Sequence, residues 1–252
     1  MHPQTTVDTA RRLSQLDVLD REVAKITGVP IGTIRKWRTG RRRGPGHAPR
    51  AECPRCTGRH LDEPAYSYLL GLYLGDGCLT RGHRNVYALS IACCDDWPGL
   101  LAAAKDATSA VMPTSGVFGV RRVGMTEVKS YSKHWPCLFP QHGPGRKHTR
   151  RIELAEWQQV IVERYPGDFA RGLFHSDGYR GLNRVRRTWG SAERWYEYPR
   201  YLFTNNSPDI LWLCGQTLDQ LGVAWRFSKP DTISVARREA VARLDEFVGP
   251  KY

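Results

Sequence analysis

The sequence predicts an α+β protein, with a small all-α unit first and then a larger mixed domain built twice over. Three observations predict this. Two apolar helical stretches, 65–77 and 168–178, each close on Asp-Gly, with the aspartates 101 positions apart (177 − 76). Each is followed by alternating, strand-like segments and further helical segments in the same order. Ahead of both lies a pair of short helices punctuated by glycine and rich in positive charge. At ~100–200 residues per domain, 252 residues fit one large domain and a small one.

The bulk composition narrows the function. Lys and Arg total 38 against 25 Asp and Glu, a net charge of +13, which favours a polyanionic partner and nucleic acid first. No apolar run reaches the ~18 residues of a membrane span, and residues 1–12 lack the apolar core of a signal peptide. Seven cysteines, an odd number, with no export signal imply reduced thiols and a cytoplasmic, nucleoid-associated protein.

Residues 1–40 read as a helix-turn-helix unit. Asp20 is placed to cap a helix through Val23 and Ile26, Gly28 to stop it, and Pro30 to open the next. Ile34 and Trp37 share the buried face of that second helix, leaving Thr33, Arg35, Lys36 and Arg38 outward for DNA. A helical hairpin with a solvated basic face is the plainer reading of the same pattern.

Residues 41–62 read as a basic linker. Arg41, Arg42 and Arg43 could track phosphates or simply hold the linker open. Cys53-x2-Cys56 has half of a zinc-knuckle spacing, and the flanking His47 and His60 could complete four ligands. No second C-x2-C follows, so two exposed thiols without metal are the plainer reading.

Residues 63–252 read as two repeats, 63–140 and 166–252, joined by a basic linker at 141–151. Its His142 and His148 have no ordered ligand spacing. In the first repeat, residues 85–94 alternate as a strand with Tyr87, Leu89 and Ile91 on one side. Residues 96–111 form a helix, and 116–131 form two strands about Gly124. In the second repeat, 194–206 is a strand, Ser207-Pro208 opens a helix that stops at Gly222, two strands turn near Lys229-Pro230, and 239–249 closes as a helix. Within the two Asp-Gly helices, Gly71 and Gly75 in one and Gly172 and Ser176 in the other are small residues four apart. They permit backbone-to-backbone approach. That approach brings Asp76 and Asp177 together at two helix C-termini, where they repel unless a cation intervenes. Oxygen ligands of this kind suit Mg²⁺ completed by phosphate.

The nine residues Leu69–Gly77 (LLGLYLGDG), and more loosely Ala170–Gly178 (ARGLFHSDG), resemble the motif of the LAGLIDADG homing endonucleases. The resemblance spans 63–252. It implies a pseudo-twofold saddle of two αββαββα repeats acting as a monomer on double-stranded DNA. Asp76 and Asp177 would hold Mg²⁺ or another divalent cation to cut both strands. Arg171 departs from the pattern, as an arginine in an otherwise apolar helix, and His175 lies beside the second aspartate. A nuclease of this type needs positive charge near the cut phosphate. Lys129 and Lys229 are the leading candidates, with Lys133, Arg237 and Arg238 behind them. Arg121, Arg180, Arg184, Arg186 and Arg200 are candidates for the DNA face, with Arg122, Arg187, Tyr196 and Tyr198 beside them. The competing reading is a non-cleaving transcriptional regulator on the same fold, which tends to lose one carboxylate. This chain keeps both.

Overall fold

The computed structural model describes residues 2–38, 53–189, 192–249 and 251. The chain divides into two compact units, Met1–Arg50 and Ala51–Tyr252.

The first unit is three helices, α1 (Gln4–Gln15), α2 (Asp20–Thr27) and α3 (Ile31–Arg38). They close around Val7, Ala10, Val23, Val29, Ile34 and Trp37. Gly28 ends α2 in the left-handed region, at φ 66°, where glycine avoids the Cβ penalty. Asp20 does not cap α2. Leu19 holds that position, and the Asp20 carboxylate instead pairs with Arg38 at 3.1 Å and Arg35 at 3.7 Å. An acid in the first turn still opposes the helix dipole favourably.

The second unit runs α4 (Pro54–Thr57), α5 (Glu63–Leu74), β1 (Gly77–Arg81), β2 (Tyr87–Cys94), α6 (Pro98–Val111), β3 (Val117–Arg122), β4 (Met125–Ser132) and α7 (Trp135–Leu138). It continues as α8 (Glu156–Arg164), α9 (Pro166–Asp177), β5 (Gly178–Trp189), β6 (Ala192–Thr204), α10 (Pro208–Gln220), β7 (Arg226–Lys229), β8 (Thr232–Val235) and α11 (Arg238–Val248). Both sheets are antiparallel and share one order, β1-β2-β4-β3 and β5-β6-β8-β7. The same helix-and-strand sequence therefore builds both halves. Ser207 caps α10 as its sequence predicts, accepting from the Ile210 amide with Pro208 just inside. Residues 53–57, assigned to the linker by composition, instead form α4 and belong to this second unit.

The motif helices α5 and α9 are the centre of the core. From Tyr66 to Leu74 every residue of α5 is buried, as expected of a helix apolar on all sides. Added Cβ atoms show how close the two backbones are. One on Gly71 would lie 2.6 Å from the Phe169 carbonyl oxygen, and one on Gly172 would lie 2.2 Å from that of Tyr68. Gly75 similarly faces Ser176. Arg171 does not loosen this contact, because its guanidinium swings aside over the Tyr68 ring at 4.9 Å.

Candidate metal and DNA site

The C-termini of α5 and α9 meet at a cleft of about 450 Å³ lined by Asp76, Asp177, Lys147, His148, Arg146, Arg150 and Asn205. Asp76 lies just past the end of α5, and Asp177 is the last residue of α9. Asn205, at the turn after β6, donates to Asp177 Oδ2 at 2.6 Å and fixes its orientation.

Two ammonium groups stand at the ends of the motif helices, Lys147 lining the cleft and Lys251 beside it. Lys147 Nζ donates to the carbonyls of Tyr73 (2.5 Å), Leu74 (2.8 Å) and Gly75 (2.6 Å). Lys251 Nζ donates to those of Ser176 (3.3 Å) and Gly178 (2.6 Å). Each lysine thus satisfies the orphan carbonyls of a motif helix and offsets the negative end of its dipole. Burial and the neighbouring Asp177 push the Asp76 carboxyl up to about 6, against the pull of Lys147 and Lys251. Solvent reaches Asp76 at the cleft mouth, which keeps that penalty partial. Asp177 is raised as well, by burial, with Asn205 and both lysines pulling it back. Burial also pulls Lys147 down to about 8 and lowers Lys251. The two carboxylates therefore converge as the motif spacing predicts, and two built-in cations already relieve part of their repulsion. Paired, partly dehydrated carboxylates at an open polar cleft are a donor set that fits a hard divalent cation.

Lys129 and Lys229, the catalytic candidates of the sequence reading, are not among the residues lining this cleft. Lys129 lies on β4, 2.7 Å from Glu127, and Lys229 is exposed at the end of β7. The resemblance points to basic residues near the strand ends, whereas the cleft takes its lysine from the segment between the repeats. The signal was nonetheless present. Lys147 and Lys251 follow their aspartates by similar intervals, 71 (147 − 76) and 74 (251 − 177) positions. Residues 141–151 are accordingly more than a linker. Arg150 donates to the carbonyls of Gln141, Pro144 and Gly145 and shapes the loop that presents Lys147.

His175 acts as a brace. It is buried, and its Nδ1 meets the Tyr68 hydroxyl at 3.0 Å while its Nε2 meets the Val248 carbonyl at 3.0 Å. Burial pulls it down to about 4. The ring is thus neutral, donating through Nε2 and accepting at Nδ1, and ties α9 to α5 and α11.

Strand register sorts the basic residues. Paired residues share a sheet face, and alternate residues change face. In the second half, Tyr201 and Phe203 are buried in the core, and Arg180 pairs with Tyr201, Arg184 with Glu197 and Arg186 with Trp195. Arg180, Arg184 and Arg186 therefore stand on the helix-side face. There Arg180 grips Asp245 of α11 at 2.7 and 2.8 Å, while Arg184 and Arg186 pair with Glu197 and Glu193. The opposite face carries Asn183, Arg194, Tyr196, Tyr198 and Arg200. In the first half, Arg121 shares the face of buried Cys93 and Val128, and Arg122, Lys129 and Glu127 share the other. Of the five arginines predicted for DNA in these sheets, only Arg200 lies on an open face, and it donates to Ser234 Oγ at 2.8 Å. In α3, Thr33 is half-buried and Lys36 exposed, while Arg35 and Arg38 are exposed but paired with Asp20. Arg41, Arg42, Arg43 and His47 lie outside the described residues.

The predicted zinc set also changes. His60 is exposed and stands apart, whereas Cys53 and Cys56 converge with His134 and Cys137. Among the described residues no helix is long and apolar enough to cross a membrane.

No family model matches the sequence, and no curated protein matches it. Among solved structures, the chain is similar to I-DmoI in complex with DNA and Mn, at 15% identity over 75% of this chain and 99% of that one, with a TM-score of 0.49. It is similar to the LAGLIDADG meganuclease I-AabMI bound to uncleaved DNA, at 12% identity over 72% and 82%, TM-score 0.43. The meganuclease I-SmaMI bound to uncleavable DNA matches at 10% identity over 71% and 80%, TM-score 0.42. The second unit is built of two like halves, with glycine-crossed motif helices, an aspartate at the end of each, and a four-stranded antiparallel sheet of the same strand order in each half.

Proposed function

We propose that this protein binds double-stranded DNA and cleaves both strands with divalent cations held by Asp76 and Asp177. The observation that carries the reading is the cleft in which both carboxylates, one from each repeat, meet Lys147, Arg146 and Arg150. When bound there, Mg²⁺ supplies Lewis-acid activation of phosphate and of a water nucleophile. Asn205 keeps Asp177 aimed into the cleft. Lys147 and Lys251 hold positive charge beside the carboxylates, where charge would build on a phosphate being cleaved. Arg194, Tyr196, Tyr198 and Arg200, on the open face of the second sheet, are the side chains we assign to the DNA groove. In the first unit, α2, the turn at 28–30 and α3 act as a helix-turn-helix that lengthens the site, with Thr33 and Lys36 facing DNA. One chain carries both halves and works as a monomer associated with DNA.

One observation favours a second reading. The two ammonium groups already offset the two carboxylates, so the pair persists without a metal, as a DNA-binding regulator that does not cut would need. The test is incubation of the protein and Mg²⁺ with a random-sequence plasmid library, followed by end-sequencing and by recovery of bound DNA. Site-specific double-strand breaks that vanish with EDTA and in Asp76→Asn/Asp177→Asn support the nuclease. Specific capture with no breaks, unchanged in that double variant, overturns cleavage and leaves the regulator.

A further inference from the structure

We infer that Cys53, Cys56, His134 and Cys137 form a closed structural zinc site on the first repeat. Their ligand atoms all lie within 4.8 Å of one another, and among the described residues no other group of three or more His, Cys, Asp or Glu side chains converges in this way. Cys56 Sγ is 3.6 Å from Cys137 Sγ and 3.7 Å from His134 Nδ1, and Cys137 Sγ is 3.9 Å from the same nitrogen. Four ligands at about 2.0–2.3 Å around a tetrahedral ion stand roughly 3.5–3.8 Å from one another. The three edges among Cys56, His134 and Cys137 lie within about 0.1 Å of that range, and Cys53 Sγ is within 4.8 Å of all three. A disulfide requires about 2.05 Å between sulfurs, and all four cysteine and histidine groups are separate here, with every cysteine free.

The local backbone is built for these ligands. Cys53 is the residue before α4 and Cys56 lies within it; His134 is the residue before α7 and Cys137 lies within it. The two turns are alike: the Cys56 amide donates to the Cys53 carbonyl at 3.1 Å, and the Cys137 amide to the His134 carbonyl at 3.0 Å. Each turn carries a proline within its first two helical positions, which sets the backbone without spending an amide. The sequence signal is Cys-x2-Cys paired with His-x2-Cys, a knuckle split across 77 intervening residues (57–133). Three thiolates and one imidazole are soft and borderline donors, which select zinc over Mg²⁺. On binding, the thiols release their protons to solvent and His134 coordinates as neutral imidazole through Nδ1.

The site has a clear mechanical role. The stretch 53–60 has few apolar side chains and is held on the second unit by buried Cys53 and Pro54 and by Arg55 stacked 4.4 Å over Trp157. Zinc would rivet this stretch to α7.

The full-length chain, purified without chelator and then reconstituted with Zn²⁺, is expected to hold one zinc per chain by elemental analysis. Cobalt in its place should give the visible bands of a tetrahedral ion and thiolate charge transfer. Cys137→Ser and Cys56→Ser should lower zinc to below a tenth of an equivalent, while His60→Asn and Cys214→Ser keep it at one. Chelation of the unmodified chain should open residues 53–60 to protease, a readout independent of DNA cleavage and of any variant's folding. A chain with less than a tenth of an equivalent after reconstitution overturns the site. So does full zinc in Cys137→Ser, or a cobalt spectrum of octahedral type.

Discussion

In the first repeat β1 and β2 are 5 and 8 residues long; in the second, β5 and β6 run for 12 and 13. Strand order and motif helix are the same in both, and so is the lysine at the helix end. What is shared lies where the halves touch. Two helices packed backbone to backbone accept one geometry, and each must end on a satisfied carbonyl row. What differs lies beyond the core. The β5–β6 hairpin extends past its covering helices until Leu182 is 70% exposed and Trp195 51% exposed. Cross-strand ion pairs Arg184–Glu197 and Arg186–Glu193 hold its helix-side face instead, each worth a fraction of a kcal/mol. The second half thus carries a long arm that the first half lacks, and its open face is where groove contacts are assigned.

The largest expected effect breaks the symmetry at the aspartates. Asp76→Asn and Asp177→Asn should each reduce double-strand cleavage by about a thousandfold or more, with DNA affinity changed only a few-fold. Supercoiled plasmid assays read this directly, and a variant that nicks one strand at full rate would show that the two halves work independently. Next comes the helix crossing. Gly172→Ala places a methyl 2.2 Å from the Tyr68 carbonyl and should cost roughly 3 kcal/mol, the upper end for overpacking, seen as a fall in the second unit's melting temperature. Gly32→Ala, with open space around it in α3, should instead stabilise the first unit by about 0.5–1 kcal/mol. Equal effects would contradict the packing described.

Lys147 and Lys251 sharpen the comparison through pH. Protons compete with the cation at Asp76, so Mg²⁺ affinity by calorimetry should fall as pH drops through about 6, where an ordinary aspartate is still ionised. Activity should fall again as pH rises through about 8, where Lys147 loses its proton. Lys147 lowers both carboxyls, so Lys147→Met raises them and should move the acid limb to higher pH. A merely structural lysine would leave the limb in place. The smallest effect separates the sheet faces. Arg200→Ala should weaken DNA binding and reduce its salt slope by about one. Arg180→Ala should leave the slope unchanged and cost roughly 0.5–1 kcal/mol of stability through its exposed bridge to Asp245.

The aspartates were legible because the motif is local: small residues at helical spacing and a carboxylate at the end can be read along one stretch of chain. Gly28 and Ser207-Pro208 were legible for the same reason. The lysines were harder, since their only mark is a similar offset from each motif in otherwise irregular segments. The arginines of β5 could not be sorted, because a strand has two faces and only pairing with buried Tyr201 and Phe203 says which is which. Asp20 illustrates a local rule overridden, its carboxylate taken by two arginines on the next helix. The metal ligands split evenly: the Cys53–Cys56 half stands in one turn, and its partners sit on a turn far along the chain.

By itself, then, the sequence determined the duplicated α+β plan, the two aspartates and the basic character, since each depends on residues within a few turns of one another. The tertiary structure alone decided which lysines reach the ends of the motif helices, which arginines face outward and which histidine joins the cysteines. Those choices depend on contacts between segments tens of residues apart, and their geometry is set only when the core closes.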